Sequence, residues 1–304
     1  MALQARTIKA KINSVGNIQK ITRAMELVSV SKMKKATDTA LSSRPYAERA
    51  LEILVNVSKQ RTVNHRLFSH GDVKRNLVVL FSSNKGLCGS FNVNVEKGVK
   101  TFLERVHAKR EAEIRFVTVG KRSEKVARKI GGDIVGSFID LPEKIALEDV
   151  LPLARLLVDE FETGEYHNIV LVYTNFISAL SNEVLARQLL PVTVENVRNM
   201  MEDAGGKGQK GEDVADLSNY LFEPSEDEVV DRILRDLVEV QVYQALLESR
   251  ASEHSSRMIA MKNATENAEK LSRELTLSYN RARQAAITRE ISEIASGAEA
   301  LSGA

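Results

Sequence analysis

Tryptophan is absent from this chain of 304 residues, proline occurs five times, and aromatic residues make up only 5% of it. Charged residues make up 28%. So few prolines and aromatics in a long charged chain favour extended helix over a sandwich or barrel. The single cysteine, Cys88, rules out an intrachain disulfide, a Cys-x-x-Cys redox motif and a cysteine-rich zinc site, and it points to a reducing compartment. No two of the five histidines (His65, His70, His107, His167, His254) stand four apart on one helix, so the pattern offers no metal site. No apolar run approaches the roughly 20 residues of a membrane span. The start, MALQARTIKAKINSVG, lacks a signal-peptide core. It is basic and acid-poor, as transit peptides are, but no cleavable leader separates from the helical pattern that follows.

Net charge is only +2, yet it is unevenly spread. Residues 1–59 hold 11 Lys or Arg against 4 acids, whereas residues 225–304 hold 14 acids against 10 bases. Opposite ends of opposite charge suit two helices lying side by side, or a basic end meeting acidic partners. The KMKK run (32–35) is short and lacks interleaved aromatics, so no nucleic-acid partner is expected.

Hydrophobic periodicity divides the chain. Ile8, Ile12, Val15, Ile18, Ile21, Met25 and Val28 recur at steps of three and four, which predicts an amphipathic helix over 1–58 with a kink at Pro45. Residues 75–200 alternate strand-like runs (76–82, 114–120, 133–138, 168–174) with helical ones (93–110, 121–131, 147–164). A last strand is expected within 185–192. Residues 201–220, with the Gly-, Lys- and acid-rich stretch 202–218, read as a flexible loop. Residues 221–304 hold a second helix. Its span 225–296 contains no Gly and no Pro, Ser225 and three acids mark its start, and Gly297 is the expected stop. At 1.5 Å per residue such a helix reaches roughly 110 Å. A heptad-type seam runs along it through Ile233, Leu237, Val240, Gln244, Leu247, Ala251, His254, Met258, Met261, Thr265, Ala268, Leu275, Tyr279, Ala282 and Ala286, with a polar break at Ser272. The predicted fold class is α/β: an antiparallel coiled coil of long N- and C-terminal helices, with a Rossmann-like α/β domain between them.

The sheet region invites a nucleotide-binding reading, but SNKGLCGSFN (83–92) after the first strand fits neither G-x-G-x-x-G nor a P-loop. Gly86 and Gly89 read better as turn residues, and Cys88 as a buried structural thiol. No cofactor is expected.

Both ends of the chain carry a resemblance. KINSVGNIQKITRAMELVSVSKMKKA (11–36) with SRPYAE (43–48) resembles the opening of gamma subunits of F-type ATP synthases. ASEHSSRMIAMKNATENAEKL (251–271) with LSYNRARQAAITREISEIASGAEAL (277–301) resembles their ending, and NKGLCGSFN (84–92) their glycine-rich stretch. The resemblance implies a non-catalytic rotor shaft inside a hexamer of alpha and beta subunits, with the α/β domain as a foot on the membrane c-ring beside the epsilon subunit. Proton or sodium flow would turn it, and ATP hydrolysis would turn it backwards. It further implies that Arg283 and Gln284 make a polar contact with a hexamer loop, with Arg281 in the same basic band. Arg23 and Met25 would meet an acidic loop of the catalytic subunits, Ile291, Ile294 and Leu301 would turn in an apolar sleeve, and Gly86, Cys88 and Gly89 would lie in the foot. The implied location is peripheral, on the cytoplasmic face of a bacterial inner membrane. Two other readings stay open on the residues alone: a nucleotide-binding enzyme with helical arms, and a static coiled-coil scaffold.

Overall fold

A computed structural model describes residues 2–60, 66–68, 75–108, 113–193, 195, 223 and 225–302. The expected loop at 201–220 lies outside these. The chain divides into two compact units: one takes the residues up to Ser29 and from Met258 onward, the other Val30–Arg257. Two helices contribute to both units, α1 (Ala2–Gln60) and, at the far end of the sequence, Glu226–Ser302.

In the larger unit a five-stranded sheet has the order β3-β2-β1-β4-β5. The strands are β1 (Arg75–Phe81), β2 (Glu113–Val119), β3 (Asp133–Phe138), β4 (Asn168–Phe176) and β5 (Asn182–Leu190). The first four run parallel and β5 is antiparallel to β4 across a tight hairpin. Helices α2 (Phe91–Ala108), α3 (Lys121–Lys129), α4 (Leu151–Glu162) and α5 (Glu226–Ser302) complete the set. Strand β1 is apolar from Leu77 to Phe81 because helices cover both its faces. Leu77, Val79 and Phe81 join α4 and α5 in one core, while Val78 and Leu80 join Phe91, Val95 and Val99 of α2 and Val126 of α3 in another. Alternate residues of one strand thus feed two cores.

Helix α5 begins where its first residues predict. The Ser225 hydroxyl accepts from the Glu228 amide (3.3 Å), an N-cap bond beneath three acids that suit the positive helix end. It does not stop at Gly297 but runs to Ser302. A glycine inside a helix costs only about 1 kcal/mol and ends nothing by itself. Pro45 likewise sits within an unbroken α1. Its ring removes one donor, and the hydroxyls of Ser42 and Ser43 bond the nearby carbonyls of Thr39 (2.8 Å) and Ala40 (2.9 Å). In this unit α1 and α5 run antiparallel: Ser43 bonds Gln244 (3.3 Å) and Tyr46 bonds Asp236 (2.9 Å).

The smaller unit is a helix pair. The covered face of α1 steps through Ala5, Ile8, Ile12, Val15, Gln19, Thr22, Glu26 and Ser29, a strict alternation of three and four. Opposite it, α5 covers Met258, Met261, Thr265, Ala268, Ser272, Leu275, Tyr279, Ala282 and Ala286, so Ser272 continues the seam. The hydroxyls of Thr22 and Thr265 meet at 2.7 Å. The expected α1 stripe is therefore correct through Val15 and at Met25 but out of phase at three positions. Ile18, Ile21 and Val28 are 52%, 58% and 51% exposed, and Leu27 joins them at 58%. Each lies one residue off the seam, a rotation of about 100°. Polar Gln19 and small Thr22 and Ser29 take the covered places.

Candidate functional site: an exposed helical face and a glycine-rich turn

The residues singled out fall into two groups, the candidates for partner contact in the helix pair and a glycine-rich turn in the larger unit. In the helix pair, Arg23 is exposed and forms an i,i+3 ion pair with Glu26 at 2.9 Å. The Glu26 carboxylate lies on the covered face while the Arg23 side chain is largely exposed, so the arginine stays accessible to a partner. Met25 is half-buried at the edge of the seam. On α5, Arg281, Arg283 and Gln284 are all exposed, as is Arg289, and the three arginines carry no ion-pair partner among the described residues. Arg273 differs: it pairs with Glu269 one helical turn away. Further on, Ile291 is 62% and Ile294 73% exposed. The side chain of Leu301 lies outside the described residues.

Ile18, Ile21 and Val28, which the periodicity places inside, belong to this surface too. Leu27 is exposed on another side of α1, and Leu271, Leu277 and Ile287 are exposed on α5. Single exposed apolar residues are ordinary, but several along both helices, interleaved with unpaired arginines, mark a surface built to be covered. The signal that finds the α1 stripe is the polar run Gln19, Thr22, Ser29 at strict heptad spacing.

The second group lies at the C-terminal end of β1, beside the point where the strand order reverses. Binding crevices of parallel sheets form at such a point. Here the turn is filled by its own side chains. The Ser83 hydroxyl lies 2.7 Å from the Lys85 carbonyl and 2.9 Å from Asn92 Oδ1, and Asn92 Nδ2 donates to Cys88 Sγ at 3.1 Å. Asn84 ties the turn to both neighbours, donating to the Ile139 carbonyl (2.8 Å) and accepting from the Lys121 amide (2.9 Å). Cys88 is buried, as a packed thiol should be. Gly89 has φ 57, a left-handed conformation that glycine adopts without strain, but the other left-handed residue is Leu87 (φ 61) rather than Gly86. Leu87 is 65% exposed. The Gly86 carbonyl accepts from Arg257 of α5 at 3.4 Å. The described residues include no cluster of His, Cys, Asp or Glu fit to hold a metal ion. The arrangement offers exposed helical surfaces and a braced turn.

Comparison with known proteins accords with this. The family model described as ATP synthase matches residues 4–301. The ATP synthase gamma chain of Chloroflexus aurantiacus is 39% identical over 303 residues, covering 98% of each chain. That of Heliobacterium modesticaldum is 37% identical over 297 residues, covering 97% of this chain and 98% of its own. Among solved structures, the central stalk and c-ring of Tetrahymena thermophila mitochondrial ATP synthase contains a chain 26% identical, with a TM-score of 0.58, covering 80% of this chain and 99% of that one. A chain of Euglena gracilis mitochondrial ATP synthase, 18% identical with a TM-score of 0.63, covers 99% and 95% respectively and shares the fold.

Proposed function

This chain belongs to the ATP synthase gamma-chain family, and from that premise we propose that it is the central rotor shaft of the enzyme complex, without catalytic residues of its own. The observation that carries the reading is the pair of long helices with exposed apolar residues and with Arg281, Arg283 and Arg289 unpaired among the described residues, attached in sequence to a sheet domain whose switch-point turn is braced by its own hydrogen bonds. A shaft must present surface along its whole length yet avoid a tight grip at any one angle. Exposed charge acts over distance and couples without locking, whereas apolar packing acts at contact.

In this reading the helices turn within the alpha and beta hexamer. Arg23 and Met25 face an acidic loop, Arg281, Arg283 and Gln284 face a polar one, and Ile291, Ile294 and Leu301 form the tip. The sheet domain with Gly86, Cys88 and Gly89 is the foot, seated on the c-ring beside the epsilon subunit. Proton or sodium flow drives rotation during ATP synthesis, and hydrolysis reverses it. None of the described helices is long and apolar enough to cross a membrane. Peripheral attachment through the complex, on the cytoplasmic face of a bacterial inner membrane, is the matching location.

The test is direct. The chain, with Cys88→Ser and a new cysteine at Lys125 on the exposed face of α3, is assembled with alpha and beta subunits and a bead is attached. Addition of ATP is expected to give stepwise, one-directional rotation at one copy per hexamer. An assembled complex that hydrolyses ATP with a stationary bead would refute the shaft. The double variant Arg283→Ala, Gln284→Ala should then turn with reduced torque, since charge-assisted contacts of about 1.5–3 kcal/mol are removed. Unchanged torque would dismiss those two residues while leaving the shaft in place.

A further inference from the structure

We infer that residues Ser252–Arg257 of α5 form a torsion joint, the place where twist passes between the helix and the sheet domain. The inference rests on the rotor reading above and adds to it the residues that bear the load within the larger unit.

The way α5 is held changes along its length. From Val230 to Leu247 its contacts with the sheet unit are mainly apolar, through Leu234, Leu237, Val238, Val242, Ala245 and Leu246. Two directional contacts lie within that stretch, Arg235 with Glu162 (2.6 Å) and the Tyr243 hydroxyl with the Ile145 carbonyl (3.1 Å); from Ser252 hydrogen bonds follow in close succession. The Ser252 hydroxyl donates to the Thr174 carbonyl at the end of β4 (3.2 Å) and the Ser255 hydroxyl to the Ala179 carbonyl in the hairpin (2.5 Å). Asn182 Nδ2 on β5 donates to the Ser256 hydroxyl (3.2 Å). Arg257 Nη2 donates to the Gly86 carbonyl in the turn after β1 (3.4 Å). Four residues within this six-residue span thus bond four sites on two stretches of chain, 174–182 and the turn after β1.

Arg257 is held in place for this. The same nitrogen meets Glu253 Oε1 at 2.7 Å, and its other terminal nitrogen donates to His254 Nδ1 at 3.1 Å. Arg250 bonds the second oxygen of Glu253 at 3.3 Å. Glu253 and Arg257 are both buried, 3% and 8% exposed, so water does not weaken the pair.

Directionality is why the change matters. Apolar burial is non-directional, so its strength follows contact rather than bond angle. A hydrogen bond weakens steeply once distance and angle leave a narrow range. Side-chain tips lie about 5–6 Å from the helix axis, so a roll of about 15° would move them about 1.4 Å, enough to break every bond in the collar. The polar collar therefore adds a dense set of angle-dependent bonds to the hold on α5, where the stretch below has two.

The experiment uses the assembled complex with the bead on Lys125→Cys and the motor halted at a fixed dwell. The triple variant Ser252→Ala, Ser255→Ala, Ser256→Ala is compared with Val238→Ala, which removes apolar packing from the same helix, and with Ser255→Thr, which keeps the hydroxyl. The angular variance of the bead should roughly double in the triple variant, with directional bonds lost, and stay near wild type in the other two. Equal variance in wild type and triple variant, or an equal rise with Val238→Ala, overturns the joint. If the triple variant does not assemble, Ser255→Ala alone is measured against the same criterion. A wild-type complex that does not rotate at all removes the rotor reading itself, a result distinct from a rotating complex whose stiffness ignores the collar.

Discussion

Alanine at Gly120 should lower the stability of the sheet unit by about 4 kcal/mol, the sum of a backbone penalty and a steric one that typically lie at about 1–3 kcal/mol each. Gly120 joins β2 to α3 with φ 99 and ψ 151, a region that residues with a side chain rarely enter. A Cβ there would lie 2.4 Å from the Ser82 carbonyl oxygen, which is backbone and cannot swing aside. The site is also a crossing of bonds. The Gly120 amide donates to Phe138 of β3 (3.0 Å), its carbonyl accepts from the Ser123 hydroxyl (2.6 Å), and Ser82 accepts from the Ser123 amide (2.5 Å). Relief of the clash would thus pull on three strands at once. The control is Gly131→Ala: φ is also positive, at 74, but nothing stands within 4 Å of the added carbon, so only the backbone penalty of about 1 kcal/mol applies. By thermal melting, Gly120→Ala should fall by roughly 8–16 °C and the control by roughly 2–4 °C. Equal shifts would mean that contact with Ser82 is not what selects glycine there.

That pair of glycines shows what one-dimensional pattern does and does not carry. The runs NLVVLF and NIVLVYT are legible as strands because a strand covered on both faces has no polar alternation to confuse the reading. The helix after Ser225 is legible because its cap and first acids coincide. Phase is harder. Along α1 the more apolar residues, Ile18, Ile21 and Val28, are exposed, and the seam is kept by Thr22 and Ser29. An apolar residue turned outward waits for a partner that a single sequence does not contain, so hydrophobicity alone misplaces the interface by one residue. Gly297 misleads for a different reason. It weakens a helix by a bounded amount, and over 77 residues that amount is too small to end it.

The residues proposed for partner contact are suggested by the resemblance rather than by chemistry visible in the chain. Arg281, Arg283 and Gln284 look like any solvated helix face until their lack of ion pairs among the described residues is set beside the exposed apolar residues. The collar left no trace at all. Ser252, Ser255 and Ser256 are ordinary helix residues; the first two donate to backbone carbonyls 78 and 76 residues away, and Ser256 accepts from a side-chain amide 74 residues away, so no spacing rule connects them.

Between pH 6.5 and 4 the sheet unit should lose up to about 3 kcal/mol through His254 alone, by linkage of proton binding to folding. Burial pushes the imidazole down to about 4, with Arg257, Arg250 and Lys32 opposing the proton and Glu253 partly favouring it. Lys32 is ion-paired with Glu143, whose carboxyl is itself held below its ordinary value chiefly by that lysine. In the folded state His254 Nδ1 accepts from Arg257, which fixes the neutral tautomer with its proton on Nε2. The sign follows from where protons bind. Unfolded chains take up a proton near pH 6.5 while the folded chain declines it until about 4. Stability from this group is therefore complete above 6.5, falls through the interval between the two values and is level below the lower one. Carboxylates lose their own contributions at lower pH, so the measurement is a difference. Unfolding of wild type and of His254→Gln, which keeps an acceptor for Arg257 but does not titrate, is followed by denaturant from pH 7 to 4. The two curves should lie closest at neutral pH and diverge on acidification, with wild type the less stable by the stated amount at the acid end. Parallel curves would mean that water reaches the imidazole, and that the collar it adjoins is not dry.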